Sequence, residues 1–121
     1  MSRTRVLIAD DQHGANALAA ALRQLDCDVC MVHDGRQAIV AAPTFQPHVA
    51  ILDVATMPGL DGYDTQLALR RQARSTRTFY AAYTAPCDAA VGDLLCGLGF
   101  DYHLRKPGSL DELRALLISA G

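Results

Sequence analysis

Short apolar runs alternate with helix-period segments five times along this chain, and that alternation limits the possible folds more than any other feature. The runs lie at about 4–9, 27–32, 49–53, 78–83 and 100–104. Residues 13–25 set Leu18, Leu22 and Leu25 at helical spacing among alanines, which favour helix. Asp34-Gly35 opens a short helix carrying Ala38, Ile39 and Ala42, predicted to stop at Pro43. Tyr63, Leu67 and Leu69 predict a third helix to about Arg74, and Pro86-Cys87-Asp88 opens a fourth to about Gly97. Gly92 weakens that fourth helix by roughly 1 kcal/mol relative to alanine. The last helix begins at Ser109, with Glu112 three residues on as a capping box and Leu110, Leu113 and Leu117 as its inward stripe. Strand followed by helix, five times over, implies an α/β fold: a parallel sheet with helices on both faces and right-handed crossovers. The Val-, Ile- and Leu-rich runs at 6–8 and 49–52 suit central strands buried on both faces.

Composition narrows the class. One domain is expected across residues 1–121, because this length suits one core. Half the residues are hydrophobic and 20% are charged, as in a globular protein. A net charge of -2 and a pI near 6.0 argue against direct nucleic-acid binding. No apolar run approaches the roughly 20 residues of a membrane span, and the N-terminus leads at once into a strand, so a cytoplasmic location is expected. Cys27 and Cys30 form a C-x-x-C, but in a strand that spacing points the thiols to opposite faces. Reduced thiols, mostly buried, are the expectation for the four cysteines.

The chemistry lies where the runs end. Asp10 and Asp11 follow the first run, Asp53 ends the third, Thr84 the fourth, and Lys106 follows the fifth. In parallel strands these side chains share the carboxyl edge of the sheet, where ligands bind in open α/β folds. Three carboxylates in one cleft repel: at about 4 Å and an effective dielectric near 20, each pair costs on the order of 4 kcal/mol. A hard divalent cation compensates them, and Mg²⁺ with oxygen ligands fits best. Lys106 adds one more positive charge. An arriving phosphoryl group is then drawn by cation and ammonium together. Asp53 is the preferred nucleophile because it ends a central strand between the acidic pair and Lys106, and a carboxylate attacking phosphorus gives an acyl phosphate. Thr84 can donate a hydrogen bond to the transferred group.

Asp10-Asp11, Asp53, Met57-Pro58-Gly59-Leu60-Asp61-Gly62, Thr84-Ala85 and Lys106-Pro107, in this order and at these spacings, resemble a receiver domain of bacterial two-component signalling over nearly the whole chain. The resemblance implies a flavodoxin-like, doubly wound (βα)₅ fold with strand order 2-1-3-4-5. It implies Mg²⁺-dependent transfer of phosphate from a histidine kinase or phosphotransfer protein to Asp53, with the domain catalysing its own phosphorylation and dephosphorylation. Asp11 and Asp53 then bind Mg²⁺ directly, Asp10 largely through water, and the backbone carbonyl of Ala55 is the third protein ligand. Thr84 and Lys106 contact the phosphoryl group, and the surface of the fourth helix, fifth strand and fifth helix switches. The partner downstream is not readable, and the chain is either free-standing or part of a larger hybrid kinase.

Two departures stand out. Met57 and Pro58 lie four and five residues after Asp53, where the family usually has them at three and four, so Thr56 could replace Ala55 as the carbonyl ligand. His103 occupies the place of a switch aromatic, usually tyrosine, and residues 99–107 resemble the variant found in receivers of hybrid sensor kinases. Three other functions compete. A haloacid-dehalogenase-type phosphatase needs a second aspartate where this chain has Ala55. A flavodoxin-like binding module needs a phosphate-cradling loop where this chain has Asp10-Asp11-Gln12-His13-Gly14. A degenerate receiver, serving only as a phosphorylation-independent interaction module, is opposed by the intact five residues and kept open by the longer loop after Asp53.

Overall fold

The computed structural model describes residues 3–10, 14–54, 62–72, 77–84, 99–106 and 108–121. Within them, strands β1 (Arg5–Ala9), β2 (Asp28–Val32), β3 (Val49–Asp53), β4 (Phe79–Thr84) and β5 (Tyr102–Arg105) form one parallel sheet in the order β2-β1-β3-β4-β5. Helices α1 (Gly14–Gln24), α2 (Gly35–Phe45), α3 (Gly62–Gln72) and α4 (Leu110–Ala120) cover it. The helix expected between 86 and 97 falls outside the described residues, as do Cys87 and Cys96.

Strand alternation builds two cores. Val6, Ile8, Val49, Ile51, Ala81, Tyr83 and Leu104 face α1 and α4, where they meet Leu18, Leu22, Leu113 and Leu116. Leu7, Ala9, Ala50, Leu52, Tyr80 and Ala82 face the opposite way and meet Ala38 of α2 and Leu69 of α3. Successive strand side chains point to opposite faces, so one parity of the sequence feeds each core. That rule later decides which site residues can meet. Cys27 packs in the first core and Cys30 against the second, both as free thiols.

Several elements depart from the expected bounds. α2 does not stop at Pro43; it runs to Phe45 and closes at Gln46 in the left-handed region, with φ 51°. A proline removes the hydrogen bond to the carbonyl four residues back, here that of Ile39. Gln72 Nε2 of α3 donates to that carbonyl at 3.0 Å, which explains why the helix survives the proline. In α4, Ser109 caps the first turn by accepting from Glu112 N at 3.2 Å, as predicted, but the buried stripe is Leu113 and Leu116. Leu117 is only partly buried. β5 starts at Tyr102 rather than 100, because Asp101 ends the ladder: its N–H donates to Tyr80 O, and its Oδ2 accepts from Tyr80 N at 2.9 Å. In α3 the buried positions include Thr65 and Gln66, polar residues the apolar pattern did not single out.

The amino edge of the sheet is tied by side chains bonded to backbone. His48 Nδ1 accepts from Arg5 N at 2.9 Å, Arg5 Nε donates to Gln46 O at 2.8 Å, and Thr78 Oγ1 donates to Pro47 O at 2.9 Å. Arg70 of α3 lies 4.4 Å from the Tyr80 ring centroid and reaches Asp101 Oδ2 at 3.4 Å.

Candidate functional site

β1, β3, β4 and β5 end together at the carboxyl edge, and each end delivers one residue named from the sequence. Asp10 N donates to Val32 O, and Lys106 N donates to Thr84 O, so each residue extends its ladder by one step past the strand. Register pairs Ala9 with Leu52, and one residue further sets Asp10 opposite Asp53. By parity both aspartates belong to the face of α1 and α4. Asp10 is 1% exposed and Asp53 fully buried. Lys106 has the parity of Leu104 and comes to the same face, its Nζ 2.9 Å from Asp53 Oδ2. The lysine side chain is 18% exposed, so the ammonium sits between the buried carboxylate and solvent. Asp11, Ala55, Thr56, the 57–61 loop and Pro107 lie outside the described residues.

Gly62 sets the depth of the site. A Cβ there would stand 2.7 Å from Asp53 O and 2.7 Å from the Val54 Cα. Only glycine lets α3 start this close to the end of β3.

Tyr83 is the side chain that the sequence reading missed. It forms part of the fourth apolar run, and only its parity distinguishes it: one residue before Thr84, it must face the other way. It is 2% exposed and lies beneath the charged groups. The Lys106 Nζ is 5.2 Å from its ring centroid. Burial, then the nearby carboxylates of Asp10, Asp53 and Glu112, pushes its phenol up to about 12, so the ring is neutral at any physiological pH.

Thr84 and His103 have the opposite parity and meet on the other face of the sheet. Thr84 Oγ1 and His103 Nε2 are hydrogen-bonded at 2.5 Å. Burial, and then the charge of Arg105, pulls His103 below its usual range and favours the neutral imidazole. Asp10, Asp53 and Lys106 gather on one face, Thr84 pairs with His103 on the other, and Asp11 is not described.

Asp10, Asp53 and Lys106 bring two buried carboxyl groups and one amine to the same face of the sheet. Carboxyl oxygen donors suit a hard cation such as Mg²⁺ and do not suit softer metals. Among the described residues no group of three or more His, Cys, Asp or Glu forms, so Asp10 and Asp53 are the described part of any such shell.

Residues 6–118 match the family model of the response regulator receiver domain. The chain belongs to the response regulator receiver family. The receiver is 37% identical over 120 residues to the transcriptional regulatory protein TcrA of Mycobacterium tuberculosis, a match covering 97% of this chain and 46% of that protein. It is 31% identical over 114 residues to the DNA-binding response regulator MtrA of Mycobacterium leprae, covering 93% and 49%. The chain thus spans about half the length of the curated relatives it matches. Among solved structures, the receiver domain of the Francisella response regulator 1452 superposes with a TM-score of 0.83 at 28% identity, over 98% of this chain and 97% of that one. The Vibrio cholerae chemotaxis protein CheY4 shares the fold, with a TM-score of 0.87 at 24% identity over 99% and 100%. Among the described residues, no helix of this receiver is long and apolar enough to cross a membrane.

Proposed function

We propose that residues 1–121 act as one Mg²⁺-dependent phosphoacceptor domain in the cytoplasm, receiving phosphate on Asp53 from a histidine kinase or phosphotransfer protein. The observation that carries this reading is the fully buried Asp53 at the tip of a central strand, held by Lys106 Nζ at 2.9 Å. An Asp53 carboxylate oxygen attacks phosphorus as the P–N bond to the donor histidine breaks, and the freed imidazole takes up a proton. Mg²⁺, when bound by Asp10, Asp11, Asp53 and the Ala55 carbonyl, supplies positive charge toward the phosphoryl oxygens. Lys106 exchanges its contact with Asp53 for one with the transferred group. Hydrolysis of the acyl phosphate by water resets the domain.

Signalling follows from the division between faces. Thr84 Oγ1 is bonded to His103 Nε2. A phosphoryl group adds about -1.5 to -2 charge and three strong acceptors. Turning Thr84 toward it releases His103, whose imidazole then repositions and alters the surface of β5 and its flanking segments. The relative MtrA is a DNA-binding response regulator of which this chain spans about half.

Incubation with acetyl phosphate and Mg²⁺, followed by intact mass, tests the reading. The expected result is the gain of one phosphate, abolished by EDTA and by Asp53→Asn. No gain in the wild type overturns it in favour of a phosphorylation-independent interaction module.

A further inference from the structure

We infer that Tyr83 is a positioning residue for Lys106, its ring face forming the platform on which the ammonium rests while phosphate is transferred to Asp53. This inference rests on the phosphoacceptor reading and adds a residue to it. Three observations converge. The ring is buried on the same face of the sheet as Asp10 and Asp53. The Lys106 Nζ lies 5.2 Å from its centroid while also 2.9 Å from Asp53 Oδ2, so the ammonium contacts both. Gly108, at φ +72° and two residues after the lysine, is a neighbour of the ring: a Cβ there would be 3.7 Å from Tyr83 Cε1.

The need for a second partner comes from the reaction itself. As the phosphoryl group arrives, Lys106 leaves Asp53 for the phosphoryl oxygens, and during that exchange the Asp53 contact no longer fixes its position. A four-carbon side chain that is already 18% exposed can then swing into water. The negative face of an aromatic ring attracts an ammonium within about 6 Å of its centroid. The ring does not change charge during transfer, because its phenol is pushed up to about 12 by burial and the neighbouring carboxylates. Tyr83 therefore keeps Lys106 near the phosphoryl oxygens on both sides of the transfer, whereas Asp53 holds it only before. An aliphatic residue at 83 would fill the core without holding the lysine.

The test compares phosphorylation rates with acetyl phosphate and Mg²⁺, read by intact mass. Tyr83→Leu is expected to slow phosphorylation roughly 3- to 10-fold. Tyr83→Phe, which keeps the ring face and loses the hydroxyl, should recover most of that loss. In a Lys106→Met background, Tyr83→Leu should cause no further slowing, because the ring acts through the lysine. Because Tyr83→Leu could disturb folding, a second series keeps the shape constant. Phenylalanine, 4-fluorophenylalanine and 3,4,5-trifluorophenylalanine at 83 should give rates that fall stepwise as the ring face loses electron density. Equal rates across the fluorinated series, or full slowing by Tyr83→Leu without Lys106, overturn the inference while leaving the phosphoacceptor reading intact. A wild type that takes no phosphate overturns both.

Discussion

The ties at the amino edge of the sheet and the site pairs at its carboxyl edge use polar side chains in different ways. At the amino edge, side chains close on backbone: His48 on Arg5 N, Thr78 on Pro47 O, Asp101 on Tyr80 N. At the carboxyl edge, side chains close on each other: Lys106 on Asp53, Thr84 on His103. A side chain that satisfies a backbone group cannot leave without stranding it, and a stranded buried group costs about 1–3 kcal/mol. A pair of side chains can exchange partners when a phosphoryl group arrives. The amino edge is therefore locked and the carboxyl edge is exchangeable, although both are rich in charge. The distinction is one of bonding partner, and it can be tested by substitution.

The largest effect is expected where the exchangeable edge meets immovable backbone. Gly62→Ala sets a Cβ at 2.7 Å from both Asp53 O and the Val54 Cα, and neither is a flexible side chain. Overpacking of this kind costs about 3 kcal/mol. Urea unfolding should show that loss, and the phosphate gain at Asp53 should fall with it. A change under about 1 kcal/mol would mean that α3 can retreat, and that the site depth is not fixed by its first residue.

Next in size is a pair of substitutions with opposite signs. Asp101→Ala removes the acceptor of Tyr80 N and should destabilise by about 1–2 kcal/mol, with phosphorylation unaffected. Asp53→Asn keeps the shape and an oxygen for Lys106 while removing a buried charge that faces Asp10. Lys106 keeps the amide oxygen and the Tyr83 ring as contacts, and its part-exposed ammonium stays hydrated. In Mg²⁺-free buffer the variant should therefore be more stable than the wild type, by about 1 kcal/mol. Urea midpoints measured in EDTA check both signs. Loss of stability in Asp53→Asn would break the comparison, because the carboxyl edge would then be as locked as the amino edge.

The order of strands and helices was legible because parallel α/β folds repeat one unit, and the ends of the apolar runs located Asp10, Asp53, Thr84 and Lys106. What was not legible depended on contacts between distant segments. Pro43 reads as a stop, and only Gln72, far along the chain, makes its place in α2 tolerable. Asp101 reads as part of the fifth strand until its carboxylate is seen closing on Tyr80. In α4, Leu110, Leu113 and Leu117 fit a helical stripe as well as Leu113 and Leu116 do, and only the position of the sheet chooses between them. Asp10, Asp53, Thr84 and Lys106 lie at one edge, and parity turns the Thr84 side chain to the opposite face from Asp53. Parity is in the sequence; what made it decisive was the register of β3 against β4, which sets Tyr83 beside Asp53.

The smallest effect compares one histidine at each edge. His48 at the amino edge is lowered from 6.5 by burial first and the Arg5 charge second; His103 at the carboxyl edge is lowered from 6.5 by burial and then Arg105. A histidine whose folded value lies below its unfolded one binds fewer protons when folded, so stability rises with pH across that interval. Each contribution is complete above about 6.5 and is lost as pH falls from there through the lowered folded value. The edges differ in what protonation breaks. Nδ1 of His48 accepts a backbone N–H, and a proton there removes the acceptor and turns it into a donor facing a donor. His103 faces a hydroxyl, which can reverse its role from donor to acceptor when Nε2 is protonated. His48→Asn, which keeps an acceptor and cannot titrate, should therefore flatten the fall in urea stability between about pH 7.5 and pH 5.5 more than His103→Asn does. A larger flattening from His103→Asn would place the costlier proton at the exchangeable edge and reverse the assignment of the two.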